Sequence, residues 1–137
     1  MRRHLPYLAV MAAIVLLDQV TKALVVRSLA LHEYVPVVDG LLSLSHVRNR
    51  GAAFGLFADW DVPYQSALLA ALSVLALLAI ALYFLRLPAA ARLPRLALAL
   101  VLGGAVGNLI DRIRFGYVVD FVHAYWRQHQ WPDFNVA

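Results

Sequence analysis

The sequence contains no cysteine, which excludes a disulfide-stapled scaffold, thiol catalysis and cysteine-ligated zinc. It is also short of charge: 15% of its 137 residues are charged and 63% apolar, against about 25% and about 45–50% in a soluble globular domain. With a mean hydropathy of +0.72, these shortages exclude a soluble fold and a disordered chain and indicate an integral membrane protein. Acids are the scarcest class. The eight are Asp18, Glu33, Asp39, Asp59, Asp61, Asp111, Asp120 and Asp133, and with twelve lysines and arginines the formal charge is +4. In a membrane protein the placement of that excess matters more than its sum, so no nucleic-acid partner is expected.

At about 20 apolar residues per crossing, the chain has space for three or four helices. Residues 7–26 follow a basic start, but the stretch is longer than a secretory h-region and holds Asp18 and Lys22, so it reads as a retained span rather than a cleaved leader. Residues 66–85 carry no charge, and residues 96–113 form a third span with Asp111 at its polar end. The runs 34–38 and 42–47, separated by Asp39-Gly40, read as short strands around a turn. They predict an outer β-cradle over about residues 27–62. Residues 86–95 contain Arg86, Arg92 and Arg95 and no acid. The positive-inside rule puts this loop and Arg2 and Arg3 in the cytoplasm, with the cradle and everything after the third span facing outward. Tyr125, Trp126, Trp131 and Phe134 read as an interfacial belt, predicting an outer surface helix over about residues 121–131. The expected fold is thus an all-α integral membrane protein, a single domain over residues 1–137 with a small cradle and a surface helix.

Polar residues inside apolar segments are costly and tend to pair. Asp18 and Lys22 stand at i, i+4 on one helix face; the structural reading is an ion pair near the outer end, its lysine snorkelling to the surface. Gly103 and Gly107 make a small-xxx-small pair suited to close helix contact. Asn108, Asp111 and Arg112 share one face, and Arg112 is positioned to hold Asp111 ionised. Residues 48–55 read as a glycine-bounded loop-to-helix junction, with Asn49 offering donor and acceptor groups. Asp120, flanked by Val118, Val119, Phe121 and Val122 with no adjacent arginine, is the carboxyl whose desolvation suits proton chemistry. On one continuous helix Asp111 and Asp120 would lie on opposite faces, about 13.5 Å apart along the axis; they meet only if the chain turns at Gly116. His123 and His129 lack partners at metal-ligand spacing, and Asp133, after Pro132, reads as a turn residue. No metal and no cofactor are expected.

Five segments, Asp18-Gln19-Val20-Thr21-Lys22, Asn49-Arg50-Gly51-Ala52-Ala53-Phe54-Gly55, Gly107-Asn108-Leu109-Ile110-Asp111-Arg112, Val118-Val119-Asp120-Phe121 and Phe134-Asn135-Val136-Ala137, occur in one order and membrane setting. In them the chain resembles the lipoprotein signal peptidases (signal peptidase II), intramembrane aspartyl proteases of bacteria. The resemblance implies four transmembrane helices, a β-cradle, a surface helix, location in the inner membrane, and cleavage of prolipoproteins just before a diacylglyceryl-modified cysteine. It assigns Asp120 as one catalytic aspartate. Asn49, Asn108, Arg112 and Asn135 match polar residues around the site, Asp18 and Lys22 the first-helix pair, and Gly51, Ala53 and Phe54 the cradle-to-helix segment. Asp111 matches a structural carboxylate and is the second choice for a catalytic role. The family pattern places the second catalytic aspartate next after Ala137, at position 138, followed by a fourth span. The 137 residues alone are therefore expected to be inactive. The alternative reading is a non-catalytic membrane binding or helix-packing protein. A transporter or channel fragment is disfavoured because residues 66–85 carry no polar stripe.

Overall fold

A computed structural model describes residues 4–52, 56–57 and 64–137. Three long helices, α1 (Leu5–Ser28), α2 (Gln65–Arg86) and α3 (Arg92–Phe115), overrun the three expected spans by one to four residues at each end. All three are long and apolar enough to cross a membrane, with mean hydropathies of 1.9, 2.7 and 1.7. Their ends follow local chemistry. Pro6 and Pro94 sit in first turns, where backbone N–H groups have no helical acceptor to lose. Arg27, Arg86, Arg112 and Arg114 occupy last turns, against the negative end of the helix dipole. Gly116 closes α3 with φ +78°, a left-handed conformation that a Cβ would strain.

Polarity is inverted relative to a soluble bundle. Leu16 and Leu75 are 66% and 62% exposed, while Asp18 and Asp111 are 0% and 1%. Helices α1 and α2 both pack on α3. The glycine pair makes the α1 contact close, as expected: a Cβ at Gly103 would lie 2.9 Å from Ile14 Cβ, and one at Gly107 would overlap the Asp18 carboxylate. At the bundle end remote from the sheet, the buried Arg95 guanidinium packs against both the Tyr7 and Phe84 rings and donates to the Leu87 carbonyl, anchoring the end of α2.

The other end carries an antiparallel four-stranded sheet in the order β1 (Tyr34–Val38), β2 (Leu42–Asn49), β3 (Val118–Trp126) and β4 (His129–Gln130). Gly40, with φ +78°, makes the expected β1–β2 turn. The surface helix expected over 121–131 is a correction: this segment is β3 and β4. Val118, Val119, Phe121, Val122, Tyr125 and Trp126 are β-branched or aromatic, types that pack on a pleated surface. The fold is therefore helical in the spans and β outside them, not all-α. The cradle correspondingly draws half of its strands from beyond the third span.

One irregularity shapes the site. Between the pairs Leu44↔Val122 and Val47↔Asp120, β2 has two residues where β3 has one. This bulge puts His46 on the same inward face as its neighbour Ser45, the two being 4% and 0% exposed. Opposite it, the Phe121 and Val122 amides donate to the Phe134 carbonyl, and the Phe134 amide returns a bond to Val122. Residues 131–137 are thereby laid along β3 as a strap. At its far end the strap meets α3, where a Cβ at Gly104 would lie 2.7 Å from the Ala137 carbonyl carbon.

Candidate active site

Two buried polar clusters share one atom. In the first, Lys22 Nζ lies 2.9 Å from Asp18 Oδ2 and 2.8 Å from Asp111 Oδ2, and donates to Asn108 Oδ1 at 2.9 Å. Lys22 is 3% exposed, so it does not snorkel: the ammonium turns into the bundle because a second carboxylate, 89 residues away in sequence, awaits it there. Arg112 does not neutralise Asp111 either. Lys22 does so, and the Arg112 guanidinium donates to the Gly51 carbonyl at 3.0 Å. Gln19, not singled out from the sequence, donates to Asp18, to Asp111 Oδ1 at 3.0 Å and to the Gly107 carbonyl. Its place beside Asp18 was the one available signal.

The second cluster surrounds Asp120. The turn at Gly116 takes the chain out of α3 into β3, so Asp111 and Asp120 belong to different elements. Asp111 Oδ2 accepts the Val119 amide at 3.1 Å, fixing the start of the strand that carries Asp120. Asn49 Nδ2, at the end of β2, donates to Asp120 Oδ2 at 2.9 Å, and Asn135 Nδ2, on the strap, donates to Asp120 Oδ1 at 2.7 Å. Asn135 also reaches the Val119 carbonyl and Asn108 Oδ1, both at 3.1 Å. Asn108 Oδ1 is thus the acceptor common to both clusters. Asn49 is more than a junction residue: its Oδ1 accepts the Gly51 amide at 2.8 Å, so that Asn49 and Arg112 hold the two faces of the Gly51 backbone. Ala53 and Phe54 lie outside the described residues. Burial pushes the Asp120 carboxyl up to about 6, against the lowering pull of the Asn49 and Asn135 amides and of the Lys22 ammonium; the Asp133 carboxylate adds to the upward push.

Asp120 opens onto a cavity of about 470 Å³. Leu69, Leu72 and Ala76 of α2 and Ala105 of α3 give it an apolar lining, and Asn49, Asn108, Arg112 and Asn135 line it together with Asp120 and Ala137. A larger groove of about 820 Å³ between the helices is lined, apart from His4, by apolar residues and glycine. A desolvated carboxyl held by two amides, beside an arginine and an apolar wall, can exchange a proton with a substrate whose other half is lipid-like.

Residues 10–137 match the family described as signal peptidase (SPase) II. The chain belongs to that family. It is a family of membrane proteases, which fits a polar cluster enclosed by apolar helices. Similar curated proteins include the lipoprotein signal peptidase of Geobacter metallireducens, 46% identical over 128 residues that cover 93% of this chain and 78% of that protein. That of Symbiobacterium thermophilum is 47% identical over 131 residues, covering 95% and 81%. Among solved structures, a bacterial membrane enzyme determined by the in meso method at 1.9 Å superposes with a TM-score of 0.81 at 26% identity, covering 96% of this chain and 81% of that one. The signal peptidase II match takes in α1 from residue 10 onward, the other two helices and the whole sheet, so both clusters lie within it.

The structure brings together Asp18, Lys22, Asn108 and Asp111 as one group, and Asn49, Asp120 and Asn135 as another, with Gly51 and Arg112 at the edge. Asp133 is not merely a turn residue. Its Oδ1 accepts from Ser45 Oγ at 2.5 Å and lies 3.4 Å from His123 Nδ1, and its Oδ2 accepts from the Tyr34 hydroxyl at 3.4 Å. Burial and this carboxylate together raise the pKa of Tyr34.

Proposed function

We propose that this protein is an aspartic endopeptidase that removes signal peptides from diacylglyceryl-modified prolipoproteins, cutting the peptide bond before the lipidated cysteine. The observation that carries the reading is the buried Asp120 carboxyl, held by Asn49 and Asn135 at the head of a cavity walled by apolar side chains. Hydrolysis by carboxyls needs two of them sharing one proton. Asp120, with its affinity for a proton raised, is the protonated member. It donates to the scissile carbonyl oxygen while an ionised partner takes a proton from the attacking water. The tetrahedral intermediate then collapses with a proton delivered to the leaving cysteine amine.

We place that partner immediately after Ala137, at position 138, where the family resemblance puts the second aspartate and a fourth span. That Ala137 lines the Asp120 cavity supports this placement. Lipid chains on the substrate cysteine lie against the apolar face of α2. Arg86, Arg92 and Arg95 orient the protein with this loop in the cytoplasm and the sheet on the outer side of the bacterial inner membrane.

The test uses the purified protein expressed from its complete reading frame, with two substrates: a prolipoprotein carrying the diacylglyceryl group, and the same chain unmodified at that cysteine. Cleavage before the lipidated cysteine, with little or none of the unmodified chain, is the expected result. Failure to cut the lipidated chain overturns the reading.

The pH profile has a defined sign. If Asp120 retains the shared proton, its ionisation sets the alkaline limb of activity, and a neighbouring carboxylate moves that limb above the value of about 6 found here. Asn49→Ala removes a donor that favours the ionised form. It should therefore move the alkaline limb to higher pH, measured as the turnover profile between about pH 5 and 9; a shift to lower pH would contradict the assignment.

A further inference from the structure

The strap that carries Asn135 is held to the sheet from outside the catalytic cluster. Phe134 pairs with Val122 through the backbone, and two residues before Asn135 the buried Ser45 hydroxyl donates to Asp133 Oδ1. Ser45 faces inward in step with Ser43, and the bulge adds His46 beside it on the same face. The Tyr34 hydroxyl reaches the other carboxylate oxygen, and the Tyr34 ring meets His123 edge-on with centroids 5.1 Å apart. One carboxylate thus gathers β1, β2 and β3 around the strap just before Asn135, whose amide holds Asp120.

We propose that Asp133, anchored by Ser45 and Tyr34, is a positioning residue for the hydrolysis. It sets the height of the strap so that Asn135 meets Asp120 and Ala137 is held against the cavity. The proposal rests on the aspartic-protease reading given above.

Three observations point to positioning rather than to a general contribution to stability. The anchor lies two residues from Asn135 and four from Ala137, a span too short to absorb a large displacement. Asp133 lines the same cavity as Asp120, Asn135 and Ala137. Beyond Phe134, the described hydrogen bonds of the strap all involve Asn135 itself, so releasing Asp133 leaves the strap upstream held by backbone bonds alone, from Phe134 to Phe121 and Val122 and from Trp131 to Ala124.

The charged and titratable groups acting on this region are known from each packed element. Asp120 feels Lys22 from α1 and Asp133 from the strap, and Arg112 of α3 shares its cavity; Asp133 itself faces Tyr34 of β1 and His123 of β3. Removing the Asp133 charge would thus lower the proton affinity of Asp120, whereas removing the anchor while keeping the charge would raise it by weakening the Asn135 bond. Ser45→Ala separates the two effects because it leaves the carboxylate in place.

The experiment measures kcat, KM and the pH profile of the full-length protein on the lipidated substrate, normalised to folded protein. Asp133→Ala should lower kcat by about tenfold with KM within about twofold, the size of loss expected when a reacting group is displaced by less than 1 Å. Asp133→Asn, which keeps an acceptor oxygen for Ser45, should recover most of that loss. Ser45→Ala should lower kcat in the same direction, move the alkaline limb to higher pH, and add nothing when combined with Asp133→Ala. Wild-type kcat in Asp133→Ala, losses that simply add, or an unmoved alkaline limb in Ser45→Ala would each overturn the proposal. Asp120→Asn assayed in parallel keeps the two readings apart: if that variant cuts near the wild-type rate, Asp120 is not catalytic and the aspartic mechanism built on it fails. If it is dead while the anchor variants are normal, only the anchor fails.

Discussion

Asp120→Asn in the full-length protein should reduce prolipoprotein cleavage by about 10³-fold or more, within the range general acid–base groups contribute, while leaving the folded protein in the membrane. The substitution keeps the size of the side chain and takes away only its ability to carry the proton. Asn49 and Asn135 both donate to the Asp120 oxygens, and an amide at this position retains one acceptor oxygen, so one of the two bonds survives. The lost bond costs about 1 kcal/mol. The neutral side chain offsets part of that, because the carboxyl is one whose ionised form the fold disfavours, its pKa being raised to about 6. The sign follows from proton binding: between about pH 4 and 6 the folded state holds more protons than the unfolded one, so stability falls as pH rises through that window. The mutant should lack this fall. Turnover and thermal melting of purified wild type and mutant provide the check, and residual cleavage near the wild-type rate would remove Asp120 from the mechanism.

Lys22→Met should have the largest effect on folding. Lys22 is the cation between Asp18 and Asp111, and all three are almost fully buried. Asp18 Oδ1 already has no hydrogen-bond partner among the described residues. Without the ammonium, two carboxylates would be left against each other inside the bundle, and breaking a buried pair in this way costs about 3–5 kcal/mol, a large share of a typical stability of about 5–15 kcal/mol. A sharp drop in folded yield and melting temperature is expected. The triple variant Asp18→Asn, Lys22→Met, Asp111→Asn removes every charge of the network and retains an acceptor for the Val119 amide; it should recover most of the loss. If it melts as low as Lys22→Met, the lysine acts through packing and not through charge.

The two predictions also mark what could be read in the sequence. The spans and the close α1–α3 contact at Gly103 and Gly107 were legible because a bilayer makes each polar or missing side chain conspicuous, and the burial of Asp120 because its neighbours in sequence are apolar. Partners distant in sequence were not. Lys22 was read as snorkelling because only Asp18 is nearby in sequence; what keeps it inside is Asp111, brought over by helix packing. β3 was mistaken for a surface helix because its tyrosine and tryptophan suit an interfacial belt equally well. What decides for a strand is the free edge of β2, some 70 residues earlier. Asp133 passed for a turn residue since Ser45 and Tyr34 reach it only once that sheet exists.

The bulge in β2 gives the strand an unusual tolerance. Because the extra residue is taken up between Leu44 and Val47, shortening the strand by one residue there would leave Val47, Arg48 and Asn49 opposite Asp120, Val119 and Val118 as before. Asn49 would keep its place at Asp120. The loss would fall elsewhere, on one of two adjacent inward residues: Ser45, tied to the strap, or His46, whose Nδ1 lies 3.0 Å from the Leu29 carbonyl just past the end of α1. A regular strand alternates its faces and could offer only one of them. The surplus residue therefore lets a single strand be fastened to the bundle and to the strap side by side, and the length of β2 reflects two attachments rather than the reach needed to deliver Asn49.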